Sequence, residues 1–138
     1  LISVLFAFFV LSIGRGVGVW EMELGSMAEI MAPLSAPMFI LLVGVVIPII
    51  EESFFGSCYA PSTVEQAGVV SGVVAASMAF ALFHFLAWYP LNLFGLAVLG
   101  GFRGVSTIAL AEWKSSLPGY VAHIIINIAV VVGIMGMV

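Results

Sequence analysis

Five polar side chains interrupt otherwise apolar stretches of this chain: the adjacent pair Glu51-Glu52, then His84, then His123 with Asn127. Ionisable groups at membrane depth are costly, so a functional site is the first hypothesis for them. On a helix Glu51 and Glu52 point about 100° apart, so one can act on a substrate while the other supports it. Phe80 and His84 share a helix face at i, i+4, and so do His123 and Asn127, which puts an imidazole and a carboxamide one turn apart. The chemistry such a set suits is hydrolysis. A carboxylate takes a proton from water while a nearby imidazole orients that water. Donors from His123 and Asn127 then stabilise the oxyanion of a tetrahedral intermediate.

The elements that must position these groups follow from composition. Hydrophobic residues make up 64% of the 138 and charged residues 7%, with a mean hydropathy of +1.33, whereas a soluble domain is about a quarter charged. The expectation is an all-α integral membrane protein. Each span consumes about 20 residues, so the chain has room for one transmembrane helical domain over residues 1–138 and hardly for two. A net charge of −4, from seven acidic and three basic residues, leaves no basic stripe for phosphates and sets nucleic-acid binding aside. The single cysteine, Cys58, cannot form an internal disulfide and reads as a small apolar filler.

Along the chain, residues 1–13 are apolar from the start, with Leu1 in first place and Arg15 following. No basic region precedes them and no clean small-residue cleavage site follows, so they read as a truncated first span rather than a signal peptide. Residues 17–36, with Trp20, Glu21, Glu23, Glu29 and Pro33, suit an interfacial loop or short surface helix. A second span covers about 37–55, and Pro48 should kink it one turn before the carboxylates. Residues 60–68 turn polar, and Ser62-Thr63-Val64-Glu65 matches the S-x-x-E pattern that opens a helix. A third span runs to about Tyr89, where Trp88-Tyr89-Pro90 suits the exit from a bilayer. The fourth covers about 91–111 and the fifth about 118–138, with Pro118 at a permitted first-turn position. The predicted fold is therefore a bundle of about five transmembrane helices. Gly68 with Gly72, and Gly100 with Gly104, have the spacing of close helix contacts.

The order and spacing of the motifs resemble a known family. Glu51-Glu52 with Phe55, Phe80-x-x-x-His84, and His123-x-x-x-Asn127 after the turn Ser116-Leu117-Pro118-Gly119 look like the CPBP family of intramembrane proteases. That family includes the CAAX prenyl endopeptidases and bacterial bacteriocin-processing or immunity proteins. The resemblance covers about residues 48–131, within a family-like core of about 37–138. It implies Glu51 as the general base supported by Glu52, His84 as the group that positions water, and His123 with Asn127 as the oxyanion hole. It implies no cofactor and no obligatory metal. Two histidines and a glutamate are in principle a zinc set, but there is no H-E-x-x-H and the metal reading ranks lower.

Two features strain the match. The family's first motif reads Glu-Glu-x-x-x-Arg, and Gly56 stands where the arginine is expected. Arg103, in Gly100-Gly101-Phe102-Arg103-Gly104, is the candidate to supply that charge from across the bundle, against the alternative of an arginine snorkelling to the interface. The second feature is depth. If the third span begins near Ala67, His84 lies about 25 Å along it and nearer the opposite face. A shared site then needs a later start, a strong tilt, or a second span that extends past Cys58.

The function expected is an intramembrane glutamate-type endopeptidase cleaving a peptide bond near the membrane surface. Its partners would be the lipid bilayer and a peptide or protein substrate, lipidated in the CAAX case, and its location a bacterial plasma membrane. The alternative is a catalytically silent member that serves as a structural or assembly subunit among other membrane-protein subunits. A transporter or proton path using Glu and His as relay groups is a third class.

Overall fold

The computed structural model describes residues 34–87 and 93–135, which form three helices. The first, α1 (residues 36–87), begins with a proline in its first turn, where the missing N–H is an orphan in any case. Its turns are not uniform. Wide, π-type turns at Ile40–Val46 and Glu52–Tyr59 flank an α-helical stretch, Ile47–Glu51, that contains Pro48. Pro48 offers no N–H and its ring crowds the preceding turn, so the backbone widens around it. Ile47 accordingly donates its N–H to Leu42, five residues back. The next carbonyl in that series is Val43, whose donor would be the N–H that Pro48 lacks.

Gly68 breaks α1. Its φ of 81° and ψ of 167° lie in a region open essentially to glycine alone, and the two limbs fold back on each other about it. Side chains meet in pairs centred on this glycine: the Phe55 ring lies 5.1 Å from Phe80 and 5.5 Å from Phe83. Nearer the break, a Cβ on Gly72 would come 2.8 Å from the Val64 backbone, so only glycine lets the limbs touch there. α2 (Leu93–Trp113) packs on the second limb, with Gly100 and Gly104 against Ser77, and the small-residue spacing is used for close packing. α3 (Leu117–Met135) starts just after Lys114, which has a φ of 52°, and packs Ile128 onto Gly44 of the first limb. Two apolar clusters result: Phe55, Phe80, Phe102 and Ala122 in one, and Phe39, Val43 and Val131 in the other.

The bundle of about five transmembrane helices is overturned. Among the described residues there are three helices, and one, Ala36–Leu86, is long and apolar enough to cross a membrane. The expected second and third spans are a single helical run because the polar stretch between them stays helical. Ser62 and Glu65 do not open a helix: Gln66 bonds the Ser62 hydroxyl at 2.8 Å, and the Thr63 hydroxyl donates to the Ala60 carbonyl at 2.9 Å. The reversal is made by one residue, Gly68, where a nine-residue connection was expected. α2 carries Arg103 at its middle and Glu112 near its end, and the apolar part of α3, Leu117–Gly133, is shorter than the roughly 20 residues a span needs. Cys58 is exposed rather than a filler. The expected partial span at 1–13, most of the interfacial segment, and the Trp88-Tyr89-Pro90 exit lie outside the described residues.

The exterior is apolar. Leu41, Ile50, Phe54, Val70, Met78, Leu86 and Leu93 are all more than half exposed, a surface that suits lipid rather than water.

Candidate active site

The pitch of α1 changes between the two glutamates: Glu51 closes the α-helical stretch and Glu52 opens the wide one. Such local widening often marks a functional position. Glu52 is fully enclosed, whereas the Glu51 side chain keeps 12% of its surface accessible. The two carboxylates therefore have different surroundings despite being neighbours.

Glu51 meets both imidazoles. Its Oε1 is 3.7 Å from His84 Nε2 and its Oε2 is 3.4 Å from His123 Nε2. The depth problem is resolved by the break: Glu51 stands seventeen residues before Gly68 and His84 sixteen after it, so folding at Gly68 brings them to one level. The first limb of α1, which stands in place of the expected second span, does extend past Cys58. His84 Nδ1 lies 2.9 Å from the Phe80 carbonyl, one turn back on its own helix. A carbonyl can only accept, so the ring hydrogen sits on Nδ1 and the lone pair of Nε2 faces Glu51. At 3.7 Å the two are too far apart for a direct hydrogen bond, and a water can bridge them.

Glu52 is held from the other side. Arg103 Nη1 donates to Glu52 Oε1 at 2.9 Å, and His123 Nδ1 lies 3.1 Å from the same oxygen. The Arg103 side chain is 1% exposed and does not snorkel. Its guanidinium sits 5.7 Å from the Phe80 ring centre and 6.0 Å from that of Phe102, within the range of cation–π attraction. Two glycines make room for this pair. A Cβ on Gly56 would collide with Glu52 Oε2 and stand 3.5 Å from Arg103 Nη1. A Cβ on Gly119 would stand 2.9 Å from Glu52 Oε2 and 3.5 Å from Arg103 Nη2. The glycine at the motif position thus borders the space that a cation from another helix occupies.

Asn127 is placed apart from the carboxylates. Its Nδ2 donates to the Val43 carbonyl at 3.1 Å, the carbonyl that Pro48 leaves without a backbone donor. The structure therefore brings Glu51, Glu52, His84 and His123 together and sets Asn127 one turn along α3 against the first limb of α1. Sequence reasoning passed over Gly119 and a row of hydroxyls beside the site. Ser53 donates to the Ile49 carbonyl at 2.7 Å, so Tyr120 donates to Ser53 at 2.9 Å, and Ser57 donates to Ser116 at 3.0 Å. The signal was available, since Ser53 with Ser57 and Ser116 with Tyr120 are both i, i+4 pairs. Among the described residues no group of three His, Cys, Asp or Glu side chains is placed to hold a metal ion.

An apolar exterior around a buried cluster of carboxylates, imidazoles and one guanidinium suits a membrane-associated protein with an enclosed polar centre. Residues 33–129 match the family described as type II CAAX prenyl endopeptidase Rce1-like, and the chain belongs to that family. The kinship drawn from the motifs is thereby borne out. No curated protein and no solved structure matches the chain.

Proposed function

We propose that the chain is an intramembrane endopeptidase of the glutamate type, acting on a peptide bond near the membrane surface. The observation that carries this reading is the convergence of Glu51, His84 and His123 from both limbs of α1 and from α3, with Glu51 and His84 on the accessible side and Glu52 enclosed behind them. Water held between Glu51 and His84 gives a proton to Glu51 as its oxygen attacks the substrate carbonyl. Glu51 can pass that proton across the 3.4 Å to His123 Nε2, and the resulting N–H donates to the oxyanion. The second amide hydrogen of Asn127, one turn on, adds a further donor. The proton then leaves with the amine of the cleaved bond. The family's description makes a prenylated CAAX-type peptide the first substrate to try.

A catalytically silent subunit is the competing reading, and specific contacts favour it. His123 already gives its Nδ1 hydrogen to Glu52, and Asn127 gives one of its two to Val43, so both oxyanion donors have structural partners. Cleavage of a farnesylated CAAX peptide by the purified protein in detergent decides between them. Activity lost in Glu51→Ala and His123→Ala supports the endopeptidase; a parent protein without activity supports the silent subunit, and activity that survives both substitutions ends the protease reading.

A further inference from the structure

Two carboxylates are packed into this site and one guanidinium pairs with one of them. Arg103 contacts Glu52 and is buried, whereas Lys114, the other basic side chain among the described residues, is exposed. Arg103 Nε and Glu52 Oε2 have no hydrogen-bond partner, so the pair meets through the single Nη1–Oε1 contact. That same Oε1 also faces His123 Nδ1. A carboxylate oxygen that receives a guanidinium hydrogen accepts, so a His123 hydrogen sits on Nδ1, and in the neutral ring Nε2 turns its lone pair to Glu51.

The geometry points to Arg103 as a positioning residue that sorts the two glutamates: by holding Glu52 as a fixed acceptor it sets the His123 tautomer and reserves Nε2 for Glu51. The hydrogen bond and ion pair of Arg103 go to Glu52 and not to Glu51, so its effect on the His123 tautomer runs through Glu52. Gly56 supplies a means to separate charge from location. It lies one turn after Glu52, and a side chain there projects toward Glu52 Oε2 and Arg103 Nη1. An arginine at this position can reach the same carboxylate from the same helix, provided that the end of the Glu52 side chain gives way to its Cβ.

The significance of this device for proton transfer rests on the endopeptidase reading, but its test reads the imidazole itself and is decided even if the protein cleaves nothing. The chain has two histidines, so 15N-histidine NMR of the full chain in detergent gives two ring systems, assigned with a His84→Gln variant. In the parent, His123 shows the Nδ1–H pattern. Arg103→Met removes the charge that keeps Glu52 an acceptor, and His123 moves to the Nε2–H pattern. Arg103→Met combined with Gly56→Arg returns it to Nδ1–H. A folded Arg103→Met protein whose His123 pattern is unchanged overturns the proposal. Should Arg103→Met not fold, the double variant decides: a folded protein with the Nδ1–H pattern supports it, and an unfolded one or a different pattern overturns it.

Discussion

Glu51 and Glu52 are adjacent, yet one carboxylate is enclosed and bonded by an arginine and the other faces two imidazoles and keeps part of its surface accessible. The difference predicts different outcomes for the same substitution. Glu51→Gln removes the base while keeping the shape, and a loss of about 10²–10⁴-fold in peptide cleavage is expected with thermal stability near that of the parent, both measured on one preparation. Glu52→Gln leaves the buried Arg103 charge without its counter-ion, a change that costs about 3–5 kcal/mol when a buried pair loses one partner. Denaturant unfolding in detergent micelles should show that loss, and an unchanged midpoint would count against the pair as a structural link. The residue types were legible in the sequence because each stands alone in an apolar run, where an ionisable group has no other reason to be. The partners were only half legible. Arg103 could be nominated from its isolation, but which glutamate it meets depends on the side-chain direction of two helices that periodicity does not relate to each other.

At the scale of the element, Pro48 and Asn127 belong together although 79 positions separate them. Pro48 was expected to kink the helix; in the structure the wide turn and the orphaned Val43 carbonyl accompany it, and Asn127 supplies the donor. Asn127→Leu should cost about 1–3 kcal/mol by leaving that carbonyl unsatisfied. With Pro48→Ala in the background, a backbone N–H is restored opposite Val43 and the cost of Asn127→Leu should fall, a coupling of about 0.5–3 kcal/mol by double-mutant cycle. Equal costs in the two backgrounds would separate the residues. This link escaped the sequence because it depends on whether the acceptor lies four or five positions before the donor, a choice made by packing. The S-x-x-E run at Ser62 misled for the opposite reason. A capping motif opens a helix only where the preceding backbone is not already helical, and here the first limb of α1 runs straight through it.

For the whole molecule, one glycine sets the arrangement. Gly68→Ala forces a side chain into a backbone conformation that costs about 1–3 kcal/mol, and because His84 reaches Glu51 only through this reversal, cleavage should fall along with the unfolding midpoint. Full activity and stability in Gly68→Ala would mean that the limbs are held together without it. The apolar exterior gives a further expectation: the protein should stay with the membrane fraction through alkaline carbonate extraction, and release into the supernatant would contradict a lipid-facing surface. Composition and motif order were enough to establish the apolar helical character, the polar residues worth attention and the kinship with the prenyl endopeptidase family, since hydropathy and helical spacing are local properties. They were not enough to count the helices, which depends on whether the backbone stays helical across a polar stretch. The reversal at Gly68, the Arg103–Glu52 pair and the meeting of His84 with Glu51 were decided by the tertiary structure alone, because each requires contact between segments whose relative level and rotation no local pattern encodes.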